Sequence, residues 1–485
     1  MNAAEVDLKG GEENTLRSSP SSSLRPASLY RSTMPRIALL TPYNGGNLGD
    51  AAIQDALIAN LRLRLPGAQF SGISLNNHKF VERHGTASFP LCASNTPSYA
   101  MGWDNVPDPY EKKMTVGPSS GQQPASTFKA LKQALKKVPV LGRSLKRAIS
   151  LGRFVSREVC HCIQGYRFLR THDLLIVSGG GQLDEEWGGA WGHPFALFKW
   201  AVLARVARIP YVIASVGACK VVSTTCRFFL SAALRMASYR SFRDENSRKV
   251  AAGLLARAAG DSIVPDLAFS LPPSQLPVPA SIRSISQARP VVAISPIAYC
   301  KPGSWPNEDS ALYRQYVQKM AQIVLKLLER GCVLVIVCSS IGDDDGVIPD
   351  ILTCIGDESR TRFAGQMRIP KITTWKDLVA SLWDADYLIA SRLHSAILGF
   401  ATQTPTVAIS FDPKVDSVME DLGQTDYVLQ IRKFSAEDAI ELLERMESRR
   451  GDIREQIGSY QRRILAALAL QYDALAEFAL GASAA

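Results

Sequence analysis

The stretch RIALLTPYNGGNLGD, residues 36–50, decides the fold class of this chain. Its first five residues form an apolar run with a turn signal behind it, which is typical of a buried strand. A glycine-rich loop follows the run. Beyond the loop, apolar residues recur at helical spacing: Ile53, Leu57, Ile58, Leu61 and Leu65. A strand, a loop and a helix in this order predict the opening unit of an α/β sheet.

The same alternation of strands and helices returns in two sets along the chain. The first set has strands predicted at LLIV (174–177), YVIAS (211–215) and SYRSF (238–242). The second set has strands predicted at VVAIS (291–295), VLVIV (333–337), YLIAS (387–391) and TVAIS (406–410). The proline-rich segment LPPSQLPVP (271–279) lies between the sets and is typical of a linker. The sequence therefore predicts two Rossmann-like α/β domains that face a cleft.

We divide the chain on this basis into four parts. They are a disordered tail (1–33), an N-terminal Rossmann-like domain (34–275), a C-terminal Rossmann-like domain (285–430) and C-terminal helices (431–485), the first of which Ser435 is expected to cap. Residues 95–170 are predicted to be a basic, partly helical insertion in the first domain. Because Pro139 and Gly142 interrupt its helical pattern, we expect two short helices there.

The positive charge of the chain is concentrated in one segment. The formal net charge is +10. Residues 127–170 contain eleven Lys and Arg and a single acid, Glu158, so this segment alone accounts for the net charge. The pattern indicates either a peripheral contact with an anionic membrane surface or a basic helix pair that is solvated or docks to a protein. No nucleic-acid-binding module is recognisable, and no nucleic acid partner is predicted.

Location and metal chemistry follow from the remaining composition. The sequence has no secretory signal and no uninterrupted apolar run long enough to span a bilayer, so we expect a cytoplasmic protein, with a possible peripheral position at the membrane face.

The nine cysteines have no repeating spacing, which predicts reduced thiols. Cys160-His161-Cys162 lacks a second ligand pair, and Asp343-Asp344-Asp345 is expected to be a solvated loop. No metal or cofactor is predicted.

Polar residues follow directly after the predicted strands, where α/β enzymes bind their ligands. These candidates are Asn44, Asn47, Gly49 and Asp50 after the first strand, Gly179, Gly180 and Gly181 after the second, Arg243 and Asp244, Ser391, Arg392 and His394, and Lys414. The loop 44–50 can offer N–H groups to an anion at a helix N-terminus, or it is simply a tight turn in which Asp50 caps the helix. The glycine triplet likewise permits close backbone approach to a ligand or serves turn geometry alone.

The charged candidates have simple alternatives as well. Arg392 follows a buried strand, where a guanidinium needs an anionic partner, although it could instead begin a surface helix. His394 is suited to proton transfer near neutral pH. Arg243 can form a local ion pair with Asp244, and Lys414 can be a solvated lysine.

The chain resembles the polysaccharide pyruvyl transferase family. The matching segments, in the order of the family, are the 44–50 loop, Gly179-Gly180-Gly181-Gln182-Leu183, Arg243-Asp244-Glu245-Asn246-Ser247, Pro265-Asp266, Ala390-Ser391-Arg392-Leu393-His394 and Ser410-Phe411-Asp412-Pro413-Lys414-Val415. The basic insertion and the segment 214–218 depart from the family pattern, and the insertion bears on the identity of the acceptor.

The resemblance implies a fold of the GT-B glycosyltransferase type and a role in polysaccharide, for example exopolysaccharide, biosynthesis. It implies phosphoenolpyruvate as donor substrate, a nucleotide-linked or lipid-linked saccharide as acceptor, and a pyruvate ketal as product. By position, Arg243, Arg392, His394 and Lys414 match residues that the family is thought to need. We expect His394 to transfer a proton, as acid or base, and Asp50 or Asp244 to accept the hydroxyl proton. The alternative is a GT-B glycosyltransferase that uses a nucleotide sugar.

Overall fold

A computed structural model describes residues 34–93, 139–185, 188–256, 261–277, 289–305 and 307–482, with side chains from residue 152 onward in the second of these ranges. The predicted tail at 1–33 and residues 95–138 of the predicted insertion lie outside these ranges.

The first domain is built on a sheet whose paired strands are all parallel. Its strands are β1 (Arg36–Leu40), β2 (Gln69–Ser74), β3 (Ser88–Pro90), β4 (Leu174–Ser178), β5 (Gly181–Leu183), β6 (Tyr211–Ala218), β7 (Tyr239–Phe242) and β8 (Ser262–Ile263). They lie in the order β3-β2-β1-β4-β6-β7-β8, with the short β5 paired to β6. The helices are α1 (Leu48–Arg64), α2 (Asn77–His84), α3 (Pro139–Leu169), α4 (His193–Ala207), α5 (Thr224–Met236) and α6 (Glu245–Leu255). Two 3₁₀ turns, Leu267–Ser270 and Pro273–Gln275, end this part of the chain.

The second domain has a smaller parallel sheet of the same kind. Its strands are β9 (Val291–Ser295), β10 (Val333–Ile336), β11 (Met367–Arg368), β12 (Tyr387–Ala390), β13 (Thr406–Ser410) and β14 (Val428–Gln430), in the order β11-β10-β9-β12-β13-β14. Its helices are α7 (Ser310–Glu329), α8 (Val347–Ile355), α9 (Asp357–Arg362), α10 (Trp375–Trp383), α11 (Leu393–Ala401) and α12 (Pro413–Asp421), with 3₁₀ turns at Ala364–Gln366 and Thr425–Tyr427. Two C-terminal helices follow, α13 (Ala436–Ser448) and α14 (Arg450–Ala482).

The central strands of both sheets are covered on both faces. Every residue of β4, β9 and β13 is buried. A parallel sheet with helices on both faces buries both sides of its strands, so its strands are continuous apolar runs. This is why the apolar runs of the sequence predicted these strands, and the predicted fold of two Rossmann-like domains of GT-B type is confirmed.

The last helix, α14, returns to the first domain. Arg64 of α1 forms an ion pair with Asp473 at 2.6 Å. The buried hydroxyl groups of Tyr472 and Ser270 are 2.6 Å apart. The side chain of Gln471 donates to the Ser215 hydroxyl at 2.9 Å. By length and hydropathy alone, residues 450–481 could cross a membrane, but these contacts show one face of the helix packed on protein.

Two details of the secondary structure test the sequence predictions. The predicted interruption at Gly142 is wrong, because one helix runs from Pro139 to Leu169, and the first of the two predicted helices lies outside the described residues. Proline is tolerated in the first turn of a helix, where its missing N–H has no partner to lose, and Gly142 lies in that same turn. Ser435 caps α13 as expected, within a reciprocal capping box formed with Asp438.

Candidate active site between the two domains

The loop that follows β1 is held in shape by its two asparagines. The Asn44 side-chain oxygen accepts from the N–H of Gly46 at 2.9 Å and that of Asn47 at 3.3 Å. Asn47 caps α1 and accepts from the N–H of Gly49 at 3.0 Å and that of Asp50 at 3.3 Å. Side chains of the loop thus bind all four N–H groups, which favours the tight turn over anion binding, and a contact of this loop with an anion stays a prediction. The helix cap is Asn47, and not Asp50.

The same loop forms a contact between the domains. The N–H of Leu48 donates to the Ser339 carbonyl at 3.1 Å, and the N–H of Ile341 donates to the Gly46 carbonyl at 2.9 Å. Both partners belong to the loop that follows β10 of the second domain. The loop 44–50 thus fixes the distance between the two sheets at their carboxyl edges.

His394 of the second domain packs directly on this loop. A Cβ placed on Gly49 would lie 2.0 Å from His394 Cγ, so the ring rests against the Gly49 backbone. His394 Nε2 lies 3.7 Å from the Asp266 carboxylate of the first domain, beyond hydrogen-bonding distance. This nitrogen is buried and has no hydrogen-bond partner among the described residues. The ring therefore presents an unsatisfied polar atom at the domain boundary.

Arg243 lies buried beneath the same site. Its guanidinium donates to Asp244 and to Asp266, each at 3.3 Å. A Cβ on Gly217 would lie 2.5 Å from Arg243 Nη2, so only glycine leaves room for the guanidinium there. Nη2 is buried and has no hydrogen-bond partner in the described part of the chain. Asp244 also caps α6, accepting from the Ser247 N–H at 2.7 Å.

The carboxylates around His394 differ in protonation behaviour. Burial raises the pKa of Asp50 above its ordinary value, although the nearby His394, Arg243 and Lys414 oppose the shift. Burial acts on Asp266 in the same direction, but His394, Arg243 and the N–H of Ala268 outweigh it and lower the pKa of Asp266. The site thus contains one carboxyl that resists ionisation and one that stays ionised.

Lys414 reaches across the boundary from the second domain. Its Nζ lies 3.6 Å from Asp412 Oδ2 in its own domain. A Cβ on Gly181 of the first domain would be 3.7 Å from the same Nζ. Burial would lower the pKa of Lys414, but Asp412 and Asp184 help to raise it, so the ammonium stays charged. Cys219 is a further neighbour, and burial raises the pKa of its thiol against the opposing effect of Lys414.

The glycine triplet after β4 lies between Asp50 and the backbone next to Arg243. Gly179 and Gly180 have φ values of +51° and +69°, a left-handed conformation that favours glycine. A Cβ on Gly180 would lie 3.2 Å from the Asp50 carboxylate. The Gly180 carbonyl accepts from the Gly217 N–H at 2.7 Å. The triplet therefore links the Asp50 side to the Arg243 side.

Arg392 has a different environment from His394, although both lie at the start of α11. Its guanidinium donates to both oxygens of Asp344, at 2.8 and 2.7 Å, and lies over the ring of Trp305. Asp344 is fully buried, which corrects the expected solvated loop at this residue. Burial without a partner would be unfavourable for either charge, so the pair explains both positions. Ser391 is buried as well, with its hydroxyl 2.8 Å from that of Tyr316.

Because of this ion pair, Arg392 is expected to stabilise the second domain, whether or not it also binds a ligand. Arg392→Ala leaves a buried carboxylate without its cation, and we expect a loss of about 3–5 kcal/mol in the free energy of unfolding. Removing both charges, in Arg392→Met with Asp344→Asn, should restore most of that loss. Denaturant unfolding of the three proteins measures both values. A stable Arg392→Ala variant would show that the pair is not structural.

The structure thus brings together Arg243, Asp244, His394, Lys414, Gly49, Asp50 and the glycine triplet, and it places Arg392 and Ser391 among partners of their own domain. The site also includes Asp266, Gly217 and Cys219, which were not among the predicted site residues. Asp266 lies three residues beyond the end of β8, so the rule that ligands bind beyond strand ends could have found it. The described residues contain no group of three His, Cys, Asp or Glu arranged to hold a metal ion.

The contact between Gly49 and His394 makes a specific prediction. Gly49→Ala should displace the imidazole, because the added methyl group would overlap the ring, and we expect turnover to fall by about a hundredfold. Gly253→Ala is the matched control, since Gly253 lies within α6 and a Cβ placed on it would have no neighbouring atom within 4 Å. That control should be fully active and more stable by about 1 kcal/mol. Equal activity of the two variants in steady-state kinetics would contradict the contact.

Solved structures with the same fold are distant in sequence. A glycosyltransferase from Rickettsia africae superposes with a TM-score of 0.51 over 92% of this chain and 98% of that chain, at 10% identity. A UDP-GlcNAc 2-epimerase from Methanocaldococcus jannaschii superposes with a TM-score of 0.50 over 84% of this chain and 92% of that chain, at 7% identity. At such low identity, the likeness establishes the two-domain fold alone.

Sequence comparison gives the family. A search of the curated proteins found no match to this chain. The family model described as polysaccharide pyruvyl transferase matches residues 47–413. The matched segment begins in the interdomain loop and ends beside Lys414, so it includes every strand of the two sheets except β1 and β14, and nearly all of the candidate site. The chain belongs to the polysaccharide pyruvyl transferase family.

Proposed function

We propose that this enzyme transfers the pyruvyl group of phosphoenolpyruvate to a saccharide used in polysaccharide biosynthesis, forming a pyruvate ketal and releasing phosphate. One observation carries the proposal. Two buried nitrogen atoms, Arg243 Nη2 and His394 Nε2, have no hydrogen-bond partner among the described residues, and both belong to side chains that contact or approach Asp266. Buried polar atoms are nearly always satisfied, so unsatisfied ones at a domain boundary indicate a place for a ligand.

The charges of the site suit an anionic donor. Phosphoenolpyruvate carries a carboxylate and a phosphate. Arg243 and Lys414 provide two fixed cations, one from each domain, and a guanidinium fork suits either anionic group. Because their buried positions are held by Asp244, Asp266 and Asp412, the cations need little reorganisation when charge develops on the donor.

The chemistry needs one proton donor and one proton acceptor. In the proposed first step, His394 gives a proton to the methylene carbon of the donor, which becomes a methyl group, and positive charge develops at C2. A sugar hydroxyl adds to C2 and loses its proton. The bond between C2 and the phosphate oxygen then breaks, and the phosphate leaves with the bonding electrons. A second hydroxyl adds to C2, loses its proton and closes the ketal.

Asp50 suits the role of proton acceptor better than Asp244 does. Asp244 is buried, and it binds both the Arg243 guanidinium and the N–H of Ser247. The Asp50 carboxylate makes no hydrogen bond to a described residue, is half-buried and faces His394 and Lys414. A carboxyl with a raised pKa is a stronger base than an ordinary one, which favours removal of a hydroxyl proton.

Asp50→Asn tests this role through two opposite effects. A carboxyl whose pKa is raised by folding opposes folding when it is ionised, so stability of the parent protein falls as pH rises through that pKa. The asparagine variant lacks this penalty and should be the more stable protein at pH 7, with the difference vanishing below about pH 4. We expect its turnover to fall by about a hundredfold. Denaturant unfolding across pH and steady-state kinetics measure the two effects; an active or a destabilised variant would contradict the role.

The acceptor that we propose is a saccharide linked to a nucleotide or to a lipid carrier. The GT-B architecture accommodates such acceptors between its domains. The same architecture also occurs in glycosyltransferases that use a nucleotide sugar as donor, and that activity is the alternative outcome of the test below.

Product analysis in D₂O tests the proposed reaction. Purified enzyme, phosphoenolpyruvate and a panel of nucleotide-linked and lipid-linked saccharides are incubated, and the products are examined by NMR and mass spectrometry. We expect a ketal whose methyl group carries one deuterium, because the transferred proton comes from an exchangeable side chain. A saccharide product without a methyl ketal, formed with release of a nucleotide, would instead show a glycosyltransferase.

A further inference from the structure

The basic helix α3 packs with one side against the first domain. Glu158 on this side forms an ion pair with Lys199 of α4 at 2.9 Å, and both side chains are buried. His161 is also buried, with Nε2 3.0 Å from the Pro90 carbonyl. Gly165 lies against the ring of Trp200. Helix α3 is therefore an integral part of the helical layer that covers this sheet.

The opposite side of α3 exposes apolar side chains. Val155, Val159 and Ile163 follow one another at intervals of four residues, and they are 50%, 52% and 47% exposed. Residues at this spacing share one face of a helix. Three large apolar residues in one exposed row are unusual on a soluble surface that has no partner.

The charged residues of helix α3 are almost all positive. Within 139–169 the sequence has six Lys and Arg, and Glu158 is its only acid. Since Glu158 points inward to Lys199, the one acid of this segment is directed away from the surface. Arg153, Arg157 and Arg167 are all exposed on the same helix as the apolar row.

The adjoining helices add exposed aromatic side chains. Helix α4 packs between α3 and α5. Trp191 and Phe228, before α4 and on α5, are 53% and 61% exposed, and both rings contact Phe229 at 5.3 and 5.6 Å between centroids. Aromatic rings of this kind favour the boundary between water and a lipid bilayer.

We propose that these residues form a membrane-docking surface and that its partner is a bilayer containing anionic lipids. The docking surface comprises Val155, Val159, Ile163, Trp191, Phe228 and three arginines of α3, Arg153, Arg157 and Arg167. Apolar side chains would enter the boundary between headgroups and acyl chains, while the arginines bind lipid phosphates. Docking would bring the enzyme to acceptors carried on lipids. The surface is separate from the candidate active site, so the inference does not depend on the proposed chemistry.

Charge complementarity combined with apolar exposure selects a bilayer over other anionic partners. The phosphates of a nucleic acid would pair with the arginines, but they would not bury a row of exposed valine and isoleucine side chains. An interfacial helix combines an apolar face with a neighbouring face rich in Lys and Arg, and α3 has both. The two parts of the docking surface can therefore be tested separately.

Vesicle sedimentation with the full-length protein tests the proposal. We expect binding to vesicles of phosphatidylcholine with about a third phosphatidylglycerol, weakened by salt, and much weaker binding to phosphatidylcholine alone. Val159→Ser with Ile163→Ser should reduce the partition coefficient on anionic vesicles about tenfold. Arg153→Glu with Arg157→Glu should reduce it at least as much.

The matched control is Leu63→Ser with Leu470→Ser, which removes two exposed apolar side chains from α1 and α14. This control should bind vesicles like the parent protein. An equal loss in the control would show that membrane binding is not specific to the docking surface, and it would overturn the proposal. Absence of vesicle binding, or binding of an oligonucleotide that competes with vesicles and ignores the serine substitutions, would overturn it as well. Phosphate release with a water-soluble acceptor should be unchanged in every variant named, which separates this surface from the active site.

Discussion

Replacing His394 by glutamine is expected to lower turnover by about a thousandfold while leaving the fold intact. General acid catalysis contributes roughly 10²–10⁴ in rate, and glutamine cannot donate a proton in the same way. The fold should tolerate the change because His394 Nε2 makes no hydrogen bond to a described residue. Because no hydrogen bond to Nε2 is lost in the variant, the substitution should cost little in the free energy of unfolding.

The control for this prediction is His78→Gln. His78 lies on α2, and its side chain is largely exposed. Both variants should unfold at the denaturant concentration of the parent protein, and only His394→Gln should lose turnover. A His394→Gln enzyme that keeps more than about a tenth of the parent turnover would exclude the imidazole as the proton donor.

Arg243→Met is expected to remove activity and stability together. The substitution deletes the cation that Asp244 and Asp266 share in the interior. Two buried carboxylates then lack their counter-ion, and the free energy of unfolding should fall by about 3–5 kcal/mol. We expect kcat/KM for phosphoenolpyruvate to fall by at least a thousandfold, since a donor with two anionic groups loses its buried guanidinium.

Arg243→Lys separates the two effects. Lysine keeps the positive charge, and so most of the stability, but it cannot bind two carboxylates and a ligand in one plane. The lysine variant should therefore fold and still lose about a hundredfold in kcat/KM. Arg360→Met, which breaks an exposed pair with Asp357, is the control and should change stability by less than about 1 kcal/mol. A fully active Arg243→Lys variant would remove Arg243 from the proposed donor site.

The sequence predicted the fold well because the strands of a doubly covered parallel sheet are apolar along their whole length. The runs at 36–40, 174–177 and 291–295 all became buried strands. The strand Gln69–Ser74 was not predicted, since QFSGIS has neither a continuous apolar run nor strict alternation, and a glycine lies between Phe70 and Ile73. Its glycine leaves room for Phe80, a contact that no local pattern shows.

Predictions of individual side-chain roles were less complete, because partners come from distant parts of the chain. Arg392 and His394 are two residues apart, yet one pairs with Asp344 of its own domain and the other packs on Gly49 of the opposite domain. The sequence could indicate that Arg392 needs an anion, but not that this anion is a buried aspartate 48 residues earlier. The loop 44–50 gives a second example. Its glycines predicted a turn, but its contact with the other domain involves residues that follow β10, about 290 positions later in the chain, and no local pattern shows it.

Asp266 lies beyond the carboxyl end of a strand, where ligands of α/β proteins bind, but the strand itself was not predicted. It follows the two-residue strand β8, which is too short to be recognised from periodicity. Its carboxylate nevertheless accepts from Arg243 and approaches His394, which places it at the centre of the site. Short edge strands are therefore the part of an α/β site that sequence patterns miss most easily.

Acceptor-dependent release of phosphate from phosphoenolpyruvate tests the central claim most directly. The parent enzyme, His394→Gln and His78→Gln are each assayed with phosphoenolpyruvate and the panel of saccharide acceptors. The account predicts release that requires an acceptor, is equal in the parent and His78→Gln, and is about a thousandfold slower in His394→Gln. Phosphate release that is independent of His394, or no release with any acceptor while a nucleotide sugar is consumed, would contradict it.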